Sequence, residues 1–138
     1  MTTKLPRGYE PTEKEKYMSA RQIEFFRREL MRRRAELFEE SSHTLQHLQE
    51  ETAPEPDLAD RAATETDRAL ELRTRDRERK LIAKIDSALR RIEDGTYGFC
   101  EETGEPIGLK RLVARPIATL SIEAQERHER IERNYRDD

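Results

Sequence analysis

Two long stretches of this chain hold neither proline nor glycine, and a pair of prolines stands between them. The stretches are residues 20–53 and 57–94, and the prolines are Pro54 and Pro56. Proline lacks an amide donor and pushes its predecessor out of the helical region, so one continuous helix cannot pass through this point. The arrangement predicts two helices of more than 30 residues, joined at a tight tip over residues 53–60. At a rise of 1.5 Å per residue, such an antiparallel hairpin would be roughly 45–55 Å long. Local chemistry marks the helix ends. Ser19 and Gln22 form a capping-box pattern at the first start. Asp57 can cap the second helix, and Gly95 can stop it.

Apolar residues recur along both stretches at helical spacing. On the first helix they are Ile23, Phe26, Leu30, Leu37, Leu45 and Leu48, with Arg33, Arg34 and Ser41 breaking the heptad. On the second, Leu58, Ala62, Ala69 and Leu72 mark one seam. Leu81, Ile85, Ala88 or Leu89, and Ile92 mark another in a different phase. Between the two seams, residues 73–80 contain no apolar side chain. Composition agrees with a narrow seam: 33% of residues are apolar, 41% are charged and tryptophan is absent. Acidic and basic residues nearly balance at a net charge of −3, which argues against disorder and against a basic nucleic-acid binder.

The flanks differ in texture. Residues 1–18 carry Pro6, Gly8 and Pro11 among charges and read as an extended or mobile arm. Residues 95–120 gather Gly95, Gly98, Gly104 and Gly108 with Tyr97, Phe99, Ile107, Leu109, Leu112, Ile117 and Leu120, a compact and loop-rich head. Residues 121–138 read as a charged C-terminal helix with Ser121 at its N-cap. The expected fold is therefore mainly α: a coiled-coil hairpin over residues 19–94, a small head and a terminal helix. No apolar run approaches a membrane span, and the N-terminus lacks the apolar core of a secretory signal. The lone cysteine, Cys100, suits a reducing cytoplasm.

The tip sequence DLADRA at 57–62, the stretch ELRTRDRERKLIAKI at 71–85 and the segment YGFCEETGEPIGLKRLVARPIATLSIEAQ at 97–125 resemble the DksA/TraR family. That family's head is a zinc finger built from two Cys-x-x-Cys pairs around a Gly-x-x-Ile-Gly-x-x-Arg-Leu-x-Ala-Arg-Pro segment, matched here by residues 104–116. Here the four ligand positions read Cys100, Thr103, Ser121 and Ala124. One thiol, two hydroxyls and a methyl do not make a tetrahedral zinc site. The sequence therefore predicts a zinc-finger-like head without metal or cofactor, resting on its apolar residues, the hairpin base and the C-terminal helix.

The resemblance implies a cytoplasmic, monomeric transcription regulator that enters the secondary channel of bacterial RNA polymerase, with no direct sequence-specific DNA binding. It assigns Asp57, Asp60 and Ala62 to the tip near the polymerase active centre, and Arg73 and Arg77 to polymerase contacts along the hairpin. It also assigns Lys84 and Arg115 to the alarmone ppGpp, the co-regulator of the stringent response. A further family lysine is replaced by Gln125. Helix capping accounts for Asp57 as well, and a solvated helix face accounts for each basic residue singly. His43 and His47, four apart, lack the partners of a metal site. No nucleophilic triad, P-loop or dinucleotide fingerprint is present, so the chain does not read as an enzyme. Two alternatives stand beside this reading: a Gre-like transcript-cleavage factor and a coiled-coil structural adaptor.

Overall fold

The computed structural model describes residues 3–50 and 57–137; the side chains of residues 44, 47–50 and 137 fall outside that description. The turn at residues 53–56 and the side chains of His47 and Leu48 are thus outside it. The described residues form four helices: α1 (Ala20–Glu50), α2 (Leu58–Asp94), α3 (Leu109–Ala114) and α4 (Ile122–Asp137). An isolated antiparallel bridge joins Phe99 to Pro106. Two compact units are present, Met1–Leu30 with Ser87–Asp138, and Met31–Asp86.

Local chemistry explains the helix ends. The Ser19 hydroxyl accepts from the Gln22 amide at 3.3 Å, while the Gln22 side chain reaches one residue past the expected partner and accepts from the Met18 amide at 2.7 Å. At the end of α2, Gly95 takes φ 81°, a left-handed conformation that glycine adopts without a Cβ clash. Its amide donates to Ile92, and the Thr96 amide donates to Arg91, so two terminal carbonyls are satisfied.

In the first unit the apolar core is continuous. Phe26, Leu30, Ala88, Tyr97, Cys100, Ile107, Leu109, Leu112, Ala118 and Ala124 are buried. Phe26 packs against the Tyr97 ring, with centroids 5.7 Å apart. Buried Tyr97 donates its hydroxyl to the Pro116 carbonyl at 2.8 Å, which satisfies its polar tip. Phe99, Ile117 and Leu120 are only half-buried. Leu30 and Phe26 of α1 and Ala88 of α2 enter this core, so the head does not fold around its own loops alone.

The N-terminal segment is not a plain extended arm: it folds through successive turns, with the amides of Tyr9, Glu15 and Ser19 donating to the carbonyls of Pro6, Thr12 and Lys16, and it is fastened to this unit. The Tyr17 hydroxyl donates to the Gly98 carbonyl at 2.6 Å and accepts from the Gly108 amide at 3.0 Å. Its ring meets Phe99 edge-on. Fully buried Gln22 donates to the Thr12 carbonyl at 2.9 Å, and Tyr9 packs edge-on against Phe25. Tyr9 also donates to Glu15 at 2.5 Å; burial first, and then this carboxylate, push its hydroxyl up to about 12.

The second unit departs from the expected seam. Leu58 is 79% exposed and Leu72 is 55% exposed, and Ala62 and Ala69 also face water. One row of protected positions on α2 is instead Thr64, Arg68, Glu71, Arg75, Glu78, Ile82 and Ile85, with Thr74, Asp76 and Leu81 half-buried beside it. The members of the row alternate four and three apart, the spacing of one helix face. Arg33, Arg34, Leu37 and Ser41 are the matching half-buried positions of α1. Long charged side chains cover the interface with their methylene stems while their heads reach polar partners. Arg34, for example, pairs with Asp86 at 2.7 Å.

Candidate functional site

The chain presents three groups of candidate residues. The first is the start of α2. The Asp57 carboxylate accepts from the Ala59 amide at 3.2 Å and its carbonyl accepts from Arg61 at 2.9 Å, so Asp57 is the N-cap. Asp60 lies in the first turn, where the helix dipole favours an acid. Asp57, Asp60 and Ala62 are all exposed. Capping occupies one oxygen of Asp57 and leaves Asp60 facing solvent.

The second group is the basic face of α2. Arg73, Arg77, Lys80 and Lys84 share one helix face and are all exposed. Lys80 pairs with Asp76 at 3.0 Å, and Arg79 does so at 2.7 Å. Hydrogen bonds from Lys80 and then Arg79 hold the Asp76 carboxyl below the usual carboxylate range. Arg115, in the head, is the exposed C-cap residue of α3. Within the head, Arg111 donates from Nε to the Leu120 carbonyl at 2.9 Å. The sequence did not single out Arg111; one helical turn before Arg115 in the same basic run, it carried no separate signal.

The third group is the remnant knuckle. Cys100, Thr103, Ser121 and Ala124 converge. The Cys100 amide donates to Glu105 at 2.8 Å and its carbonyl accepts from Gly104 at 2.9 Å, which closes the first loop. The Glu101 amide donates to Thr119 at 2.9 Å and ties the first loop to the second. Burial pushes the Cys100 thiol up, but the Thr103 hydroxyl and the amides of Ser121, Thr103 and Glu102 bond to the sulfur and draw it down to about 6. The Ser121 hydroxyl accepts from the Ala124 amide at 3.2 Å and caps α4. Ala124 is fully buried, so a methyl group fills its position. Glu102 then holds α4 from outside through His128 and Arg127.

This constellation has the topology of a two-knuckle zinc finger and the wrong donors for zinc. Among the described residues, no three His, Cys, Asp or Glu side chains gather as a metal site.

Comparison with known families places this arrangement. Residues 22–92 match the model of the DnaK suppressor protein DksA N-terminal domain, and residues 95–130 match the prokaryotic dksA/traR C4-type zinc finger. The chain belongs to the DksA/TraR family. A Caulobacter vibrioides relative, named RNA polymerase-binding transcription factor DksA, is 65% identical over 130 residues, covering 94% of this chain and 92% of the relative. The Escherichia coli K12 protein of the same name is 47% identical over 121 residues, covering 86% and 80%. A solved structure, transcription factor DksA2 from Pseudomonas aeruginosa, superposes with a TM-score of 0.79 at 50% identity, covering 85% of this chain and 90% of that one. The C4 description of the DksA/TraR finger applies here to its shape; three of the four cysteines are replaced.

Proposed function

We propose that this chain is a transcription regulator that binds bacterial RNA polymerase through its secondary channel and alters the stability of promoter open complexes. The observation that carries this reading is the exposed pair Asp57 and Asp60 with Ala62 at the start of α2, in a chain 65% identical over nearly its whole length to a relative named RNA polymerase-binding. A carboxylate at the tip of a stiff helix can contact basic side chains or a magnesium ion inside a channel that a globular surface cannot enter. Arg73 and Arg77 then contact the polymerase, and Lys84 and Arg115 contact the alarmone ppGpp. Their chemistry suits phosphate, Lys as a compact charge and Arg as a planar fork. The regulator acts by favouring one polymerase state over another, not by catalysis.

The head performs this role without zinc, held by hydrogen bonds and by the buried methyl of Ala124. The experiment is in vitro transcription from a ribosomal RNA promoter, with and without ppGpp, comparing wild type with Asp60→Asn. Wild type should change open-complex lifetime and Asp60→Asn should not. An unchanged lifetime with wild type in both conditions would refute the reading.

A further inference from the structure

The aromatic residues of this chain are gathered where its N-terminal segment meets the head. Of four phenylalanines and four tyrosines, Phe38 and Tyr135 stand apart, and both are exposed. Tyr9 meets Phe25 with ring centres 6.2 Å apart, Phe25 meets Phe26 at 5.3 Å, and Phe26 meets Tyr97 at 5.7 Å. Tyr17 meets Phe99 at 5.6 Å. Offset and edge-on rings of this kind attract beyond the area they bury, so both tracks draw the segment onto the core.

Polar contacts fix the same segment. Gln22, fully buried near the start of α1, accepts from the Met18 amide and donates to the Thr12 carbonyl. The Tyr17 hydroxyl spans the neck of the first head loop, from the Gly98 carbonyl to the amide of Gly108, the N-cap residue of α3. That carbonyl also accepts from the Ile107 amide at 2.8 Å, so Tyr17 braces the pairing that closes the loop. Met18 packs on the bare Cα of Gly98 and holds φ 56°, a conformation that costs a residue with a side chain and persists where its surroundings enforce it.

A loop-rich head with the wrong donors for zinc has little to close it from within. We infer that the N-terminal segment is a latch on the head. While residues 9–18 are seated, the first head loop over residues 98–108 is closed. When they lift away, that loop opens ahead of the rest of the fold. The segment runs into α1 at Ser19, so it can lift without unwinding either long helix. The latch stands independently of the polymerase reading above.

The test is native-state hydrogen exchange on the full chain, comparing wild type with Tyr17→Ala, the milder Tyr17→Phe, and Gln22→Ala. The reporters are the amides of Cys100, Gly104 and Ile107, which donate within the first head loop, and the amides of residues 70–80 in α2 are the control. Tyr17→Ala should speed exchange at the reporters about tenfold or more, and Tyr17→Phe about fivefold or more, each well beyond any change at the control amides. Gln22→Ala leaves the Tyr17 side chain in place and removes the bonds to Thr12 and Met18; it should speed the same reporters. Wild-type reporter rates in the tyrosine variants would overturn the latch. So would wild-type rates in Gln22→Ala, because a lone tyrosine staple is not a seated segment. Equal acceleration of reporters and control would overturn it too, as a general loss of stability. Should Tyr17→Ala fail to fold, Tyr17→Phe and Gln22→Ala decide the matter by the same criteria.

Discussion

The hydroxyl of Tyr17 donates to the carbonyl of Gly98 across 81 residues of sequence, and the Gly108 amide donates back to the same hydroxyl. One phenol oxygen thus closes two loops of the head from outside. Tyr17→Phe keeps the ring on Phe99 and leaves both polar groups unmet. The expected cost is about 1–3 kcal/mol, the usual penalty for orphaned, partly buried polar groups. Urea denaturation should show it as a lower midpoint, with α-helical content of the folded state unchanged.

Gly98 is under a second constraint. It sits at φ 91°, and a Cβ there would lie 2.7 Å from the Met18 sulfur. Gly98→Ala should destabilise by about 1–3 kcal/mol, from backbone strain together with the clash. Adding Met18→Ala removes the steric part and should recover only a fraction. Full recovery in a thermal melt would mean that φ is not limiting.

Glu24 supplies an acid-dependent contribution. Hydrogen bonds from Arg27 and, behind it, Arg28 outweigh burial and draw its carboxyl from 4.5 to about 2. A depressed folded pKa stabilises the fold above the unfolded value. That contribution should be complete above about pH 4.5 and lost as pH falls toward about 2. Stability measured across this window should slope downward with acid in wild type and less steeply in Glu24→Gln.

Purified protein should contain no stoichiometric zinc, and a strong chelator should leave its circular dichroism unchanged. Cys100, only 3% exposed, should react with a disulfide reagent at the unfolding rate rather than freely. A full equivalent of zinc by elemental analysis, or collapse of the helical signal on chelation, would contradict the hydrogen-bonded knuckle.

At the start of α2, capping and function can be separated. Asp57→Asn retains a side-chain oxygen for the Ala59 amide and should hold stability within a few tenths of a kcal/mol, whereas Asp57→Ala should lose about 1 kcal/mol. If Asp57→Asn keeps its stability and loses the transcriptional effect, the charge of Asp57 matters beyond the cap. If the transcriptional effect of both variants tracks stability alone, Asp57 is a cap and Asp60 carries the tip's charge.

Much of this was legible because it is local. Ser19, Asp57 and Ser121 announce helix starts through short-range hydrogen bonding, and Gly95 announces a stop through its φ. The apolar set Ile85 and Ala88 was readable for the same reason. What escaped was of two kinds. The phase of α2 between Leu58 and Leu72 was misread because a search for apolar periodicity passes over Arg68, Glu71, Arg75 and Glu78, although these are the side chains that face inward. The fastening of Tyr17 to Gly98 and Gly108 joins residues far apart in the chain, and no local pattern encodes it. For the knuckle, the sequence showed which donors were missing; the structure adds the amides that surround the Cys100 sulfur.

The charged pairing face of α2 also governs which strangers the hairpin can meet. A strip of leucines would adhere to almost any amphipathic helix in a crowded cell. A face carrying Arg68, Glu71, Arg75 and Glu78 is matched only by a helix with suitable charges at the same intervals, since wrong neighbours would strand a charge away from water. The hairpin is thereby a poor glue and a discriminating one, closed to chance partners before it reaches its own.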